Sequence, residues 1–130
     1  MRLLLDTHIL IWLATDPARV PAPLRSAIEH AETRYVSAIS AAEIAIKHKK
    51  FGDKFGFTPA HLQQAMADLA CQELPLYVRH SEAYLRIPLA EHKNPHDQLL
   101  MAQAITEELI LVTADRQIRQ HSLPGLRLLC

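Results

Sequence analysis

The sequence predicts an α/β fold, a three-layer α/β/α domain around a central parallel sheet. Two observations carry this. Short apolar runs at residues 2–5, 109–112 and 126–129, with a further strand-like run at 34–38, are separated by segments of helical spacing. Strands that alternate with helices need crossover connections, which make strands parallel and cover both faces of the sheet. The chain has 130 residues, 49% of them hydrophobic and 22% charged, which is the composition of one folded domain over 1–130.

The elements follow in order. Arg2 to Leu5 reads as a buried strand and Thr7 to Ala14 as a helix. Over 22–33, Leu24, Ala27, Ile28 and Ala31 fall at i, i+3, i+4, i+7, one face of a helix, and Pro21 and Pro23 suit its first turn. Residues 34–38 are a second strand, and Ser40 opens a helix to about Lys50. FGDKFGF, residues 51–57, carries two glycines and reads as a loop. Thr58-Pro59 starts a helix in which Leu62, Ala65, Met66 and Leu69 repeat the amphipathic spacing. A short strand is expected within 73–78, a short helix over Ser81 to Ile87, and a polar loop over 90–96. His96 to Glu108 is apolar almost all round, so it should be buried. Leu109 to Val112 is a strand, Asp115 to about Gln120 a short helix, and Leu126 to Leu129 a last strand.

Fourteen basic and fourteen acidic residues give no net charge, so attraction to a nucleic acid must come from a local patch. The two cysteines, Cys71 and Cys130, suggest neither a disulfide framework nor a metal knuckle, and a reducing cytoplasm is the simplest setting. Asp6 and His8 interrupt the apolar N-terminus, which reads as strand then helix rather than as a signal peptide. No apolar run approaches the roughly 20 residues of a membrane span.

In open parallel sheets, ligands bind beyond the carboxyl ends of the strands. Asp6, Glu43 and Asp115 each follow a predicted strand and open a predicted helix, which gathers them on one edge. Asp97 opens the helix that leads into strand 109–112 and lies near the same edge. Each acid has a structural alternative. Asp6 and Asp115 are placed as N-caps, Ser40-Ala-Ala-Glu43 has the form of a capping box, and Asn94-Pro95-His96-Asp97 has the same form. Taken together they point elsewhere. Converging carboxylates without matched Lys or Arg cannot all stay ionised unless a cation sits among them. Hard oxygen ligands suit Mg²⁺ or Mn²⁺ rather than zinc, and such ions serve phosphodiester cleavage.

Four motifs in this order resemble the PIN-domain ribonucleases, in particular the VapC toxins of bacterial toxin–antitoxin pairs. They are LLLDTHILIWL around Asp6, SAISAAEIAIK around Glu43, NPHDQLLMAQA around Asp97 and LILVTADRQI around Asp115, and they span residue 3 to about 118. The resemblance implies a PIN-like α/β/α fold, often homodimeric, metal-dependent cleavage of RNA such as tRNA or rRNA, and a small antitoxin partner that blocks the site. By position, Asp6, Glu43, Asp97 and Asp115 are the acidic quartet and Thr113 the supporting hydroxyl. The corresponding mechanism has Asp6 and Asp97 binding Mg²⁺ or Mn²⁺ directly, Asp115 directly or through water, and Glu43 holding the ion or orienting the attacking water. In-line attack leaves a 5′-phosphate and a 3′-hydroxyl. Many relatives read Asp-Pro-Phe-Asp-Arg where this chain has Asn94-Pro95-His96-Asp97-Gln98, so the acid is kept and the aromatic and arginine are lost.

Lys47, His48, Lys49, Lys50 and Lys54 form the most basic stretch, and Arg116 and Arg119 flank Asp115. Phosphate binding and a solvated helix end are both open readings. His8 and His96 are read either as ligands or proton donors, or as packed or exposed side chains. Trp12 belongs to the core or to a dimer interface. Phe51, Phe55 and Phe57 either clamp RNA or antitoxin, or dock their loop. Three competing functions remain: an RNA-processing nuclease without antitoxin, a non-cleaving RNA- or protein-binding module, and a Mg²⁺-dependent phosphatase. The last lacks a paired Asp-x-Asp, since Asp6 is followed by Thr7 and His8.

Overall fold

The computed structural model describes residues 1–88, 94–120 and 123–130. Its elements alternate as the sequence requires. They run β1 Arg2–Leu5, α1 Thr7–Thr15, α2 Ala22–His30, β2 Thr33–Ser37, α3 Ala38–Phe51, α4 Pro59–Asp68, β3 Gln72–Leu74 and α5 Val78–Tyr84. They continue with α6 Pro95–Thr106, β4 Ile110–Val112, α7 Arg116–Arg119 and β5 Arg127–Leu129. The strands form one sheet in the order β3-β2-β1-β4-β5, every pair parallel.

The alternating strand side chains divide the core in two. Leu3 and Leu5 of β1 point to one face, where Ile9 and Leu10 of α1, Leu24 and Ile28 of α2, Ile44 of α3 and Leu62 of α4 cover them. Leu4 points to the other, against Leu100, Met101 and Ala104 of α6 and Ala83 of α5. The expectation for residues 96–108 holds: α6 buries seven of its residues, and two of them, Asp97 and Gln98, are polar residues at its start.

Several boundaries differ from the sequence reading, for local reasons. The cap of α3 is Ser37, whose hydroxyl accepts from the Ile39 amide, so α3 begins earlier and Ser40 to Glu43 is no capping box. Ser40 instead bonds the Thr7 hydroxyl at 2.8 Å, tying the start of α1 to the start of α3. The short helix expected over 81–87 lies at Val78–Tyr84, because the His80 side chain accepts from the Tyr77 amide and starts the turn three residues sooner. FGDKFGF is a helix end followed by a 3-10 turn over Gly52–Lys54 rather than an open loop. Gly52 at φ +60° makes the exit, a left-handed step that favours glycine at a helix C-terminus. The loop expected over 90–96 lies largely outside the described residues.

Among the described residues, no helix is long and apolar enough to cross a membrane. Cys71 and Cys130 are both free thiols.

Candidate active site

The chain leaves β1 for α1 on one side of the sheet and reaches β4 on the other. Strand order therefore reverses beside β1, which opens a crevice at the carboxyl ends of β1 and β4, the ordinary ligand position in such sheets. Leu5 is paired with Val112, and the Asp6 amide continues the ladder by donating to Val112 O at 3.0 Å. Asp6 and Thr113, the residues that follow, are thus forced side by side.

Their contact separates function from capping. Asp6 occupies the N-cap position of α1, yet its side chain makes no cap bond there. Oδ2 instead accepts from the Thr113 hydroxyl at 2.8 Å, and the same hydroxyl accepts from the Asp115 amide at 3.0 Å. Thr113, fully buried, joins two of the four acids. Asp115 does cap its helix: Oδ1 accepts from the amides of Gln117 at 2.7 Å and Ile118 at 3.3 Å. That structural role accounts for Asp115 without excluding a second one for its other oxygen.

Asp6 and Glu43 are each only 2% exposed and Asp97 6%, values rare for carboxylates. Burial pushes the Asp6 carboxyl above its ordinary range. The Thr113 hydroxyl and nearby His8 pull it back down, and the Glu43 carboxylate pushes it up further. Asp6 and Glu43 thus lie close enough to influence each other electrostatically. Glu43 lies in the second turn of α3 rather than at its start, and it does have a cationic partner: Lys47 Nζ is 3.2 Å from Oε2. The expectation of acids without a matched lysine is corrected for this one residue.

Two buried carboxylate oxygens remain without a hydrogen-bond partner among the described residues, Asp6 Oδ1 and Glu43 Oε1. Unsatisfied buried acceptors cost about 1–3 kcal/mol each, and a cation is the group that would satisfy both. The donor set therefore fits a hard divalent ion. Among the described residues, though, no three His, Cys, Asp or Glu side chains stand in an arrangement ready to hold one. Asp97 sits at the start of α6, an element that returns from the carboxyl edge to feed β4, and its N-cap Asn94 accepts from the His96 amide at 3.0 Å.

Two supports were not legible in the sequence. Gln98 is buried and accepts from the Tyr84 hydroxyl at 2.9 Å, fastening the start of α6 to α5. Gln103 accepts from the Ser37 hydroxyl and donates to Pro75 O, fastening α6 to the start of α3. His8 is exposed, with its ring 6.2 Å from that of Trp12, and Trp12 is half-buried under Arg19. Lys49, Lys50, Arg116 and Arg119 are exposed, while Lys47 and His96 are half-buried.

Residues 3–122 match the PIN domain. The chain belongs to the PIN-domain family. It is 31% identical to Ribonuclease VapC22 of Mycobacterium tuberculosis over 129 residues, which cover 93% of this chain and 92% of that protein. Its fold is shared with VapBC2 from Rickettsia felis bound to a promoter DNA fragment, with a TM-score of 0.69 and 21% identity over 98% of this chain and 97% of that one. It is shared also with FitAcB from Neisseria gonorrhoeae, with a TM-score of 0.65 and 25% identity over 97% of this chain and 95% of that one. This PIN-domain chain is thus homologous to the VapC ribonucleases, and the resemblance and the parallel α/β architecture read from the sequence both hold.

Proposed function

We propose that this PIN-domain protein is a Mg²⁺- or Mn²⁺-dependent endoribonuclease that acts as the toxin of a toxin–antitoxin pair in the cytoplasm, as a homodimer held in check by a small antitoxin. The observation that carries the reading is Asp6. Its carboxylate is buried, turned away from the cap bond its position offers, held on one oxygen by Thr113 and left open on the other beside Glu43. A purely structural aspartate would cap its helix, as Asp115 does.

Asp6 and Asp97 would hold the cation directly and Asp115 directly or through water, while Glu43 would help hold it or orient the attacking water. When bound, the ion supplies positive charge that makes water a better nucleophile and stabilises the leaving oxygen. The chain's own residues do the positioning. Thr113 fixes the Asp6 carboxylate by one oxygen, so the other, unpartnered oxygen is the one left for a cation. The Thr7–Ser40 bond holds α1 against α3 and keeps Asp6 and Glu43 in register. Lys47 holds one oxygen of Glu43 and leaves the other to receive a proton or orient water. Arg116 and Arg119, exposed on α7, would meet substrate phosphates.

The test is cleavage of labelled total tRNA by the purified chain in Mg²⁺, in Mn²⁺ and in EDTA, beside Asp97→Asn. Discrete cuts that need the metal and vanish in the variant are expected. Full activity of Asp97→Asn, or cleavage undiminished in EDTA, would defeat the assignment. A folded chain that retains RNA but cuts nothing in either metal would favour the binding-module reading.

A further inference from the structure

We infer that the end of α3 and the turn after it form a base-stacking subsite for a single-stranded segment of RNA, offset from the carboxylate crevice along the same helix. The inference rests on the ribonuclease reading and adds to it where the substrate is gripped. The three phenylalanines of FGDKFGF have different fates. Phe57 is buried in the core, Phe55 is half-buried against it, and Phe51 stays 51% exposed. Phe51, Lys54 and Phe55 line a hollow of about 270 Å³. Lys50 Nζ stands 5.3 Å from the Phe51 ring centroid and Lys47 Nζ 6.0 Å from that of Phe55.

An isolated exposed phenylalanine needs no explanation. A ring face, a hollow beside it and a set of ammonium groups together form the pairing that single-stranded nucleic acid uses: bases stack on rings while lysines meet phosphates. Lys49, Lys50 and Lys54 are exposed here with one acid, Asp53, among them. Such lysine density disfavours a protein partner, because lysine is depleted from protein interfaces. A duplex is disfavoured because its bases are already stacked and cannot reach a ring face. The patch is joined to the crevice through Lys47, which contacts both Glu43 and Phe55. Phe51 lies eight residues beyond Glu43 on α3, roughly 12 Å at the helical rise. A strand whose scissile phosphate sits in the crevice would therefore lay a neighbouring base on Phe51.

The experiment measures binding of a short, labelled, mixed-sequence single-stranded RNA to the whole chain in EDTA, where nothing should be cut. Phe51→Leu keeps the apolar bulk and removes the ring, and it should weaken binding roughly tenfold. Phe51→Trp should bind as wild type, and its added fluorescence should be quenched by RNA over the Trp12 baseline. Lys50→Gln and Lys54→Gln should each lower the slope of log affinity against log salt by about 0.7. Unchanged binding by Phe51→Leu would overturn the subsite, and so would equal affinity for a duplex of the same sequence. A surface reserved for protein would show no ring-dependent RNA binding, which also overturns it. Ring-dependent binding by a chain that never cuts RNA would instead refute the ribonuclease reading and leave the subsite standing.

Discussion

Replacing Asp6 by Asn should stabilise the cation-free chain while destroying its response to metal. In EDTA the wild type carries a buried carboxylate with Oδ1 unpartnered and the Glu43 charge nearby. An unsatisfied buried acceptor costs about 1–3 kcal/mol. Asn keeps an oxygen for the Thr113 hydroxyl, losing about 1 kcal/mol of the extra strength a charged acceptor gives. It also removes the repulsion between the Asp6 and Glu43 carboxylates. The net gain is about 1 kcal/mol at neutral pH, or a rise in Tm of roughly 3–5 °C for a domain this size. The sign with pH follows from burial, the largest influence on Asp6. Its folded pKa lies above the ordinary value of 3.8, so the folded state keeps a proton that the unfolded state has released. Stability then falls as pH rises through that window and stays lowered above it. The advantage of Asn should accordingly be full at neutral pH and shrink as pH falls through the folded pKa. Thermal unfolding of both proteins in EDTA, at neutral pH and near pH 4, measures this. Adding Mg²⁺ or Mn²⁺ should raise Tm of the wild type alone. A variant less stable than wild type at neutral pH, or one that keeps the metal-induced rise, would refute the reasoning.

Thr113→Val preserves shape but removes the hydroxyl shared by Asp6 and the Asp115 amide. It should cost about 2 kcal/mol in denaturant unfolding and lower RNA cleavage about 10–100-fold, with Thr113→Ser restoring most of both. Unchanged cleavage by the valine variant would show that Thr113 does not position Asp6. Ser37→Ala should cost about 1–2 kcal/mol from the lost cap and leave the Gln103 oxygen without its donor. Ser40→Ala, which loses one hydroxyl contact to Thr7, should cost less in the same urea titration, and the reverse order would reinstate Ser40 as the cap.

Much of this was legible beforehand. The periodicity of residues 22–31 and 96–108 marks one helix with a buried face and one buried nearly all round, because burial must match the 3.6-residue repeat. The Asn94-Pro95 start of α6 and the Thr58-Pro59 start of α4 were readable because caps act through local hydrogen bonds. Two helix starts were misplaced where the true donor or acceptor is a less conspicuous residue. At α3, Ser37 and Ser40 are both eligible caps, and only the end of β2 decides between them. At α5, the side chain that starts the turn is a histidine, His80.

The sequence by itself determined the alternation of strands and helices, and with it the parallel sheet and the placing of Asp6 and Asp115 just beyond strand ends. Those features depend on residues close in the chain. Only the tertiary structure decided which strands are neighbours. Placing β4 beside β1, 107 residues apart at Thr113 and Asp6, is what gives the Asp6 carboxylate the Thr113 hydroxyl as its partner in place of a cap bond. It also decided that Asp115 does cap, that Glu43 is paired with Lys47, and that Phe51 is the most exposed of the three phenylalanines. Each outcome depends on competition for partners and core volume between distant segments, and a linear pattern does not record which segment wins.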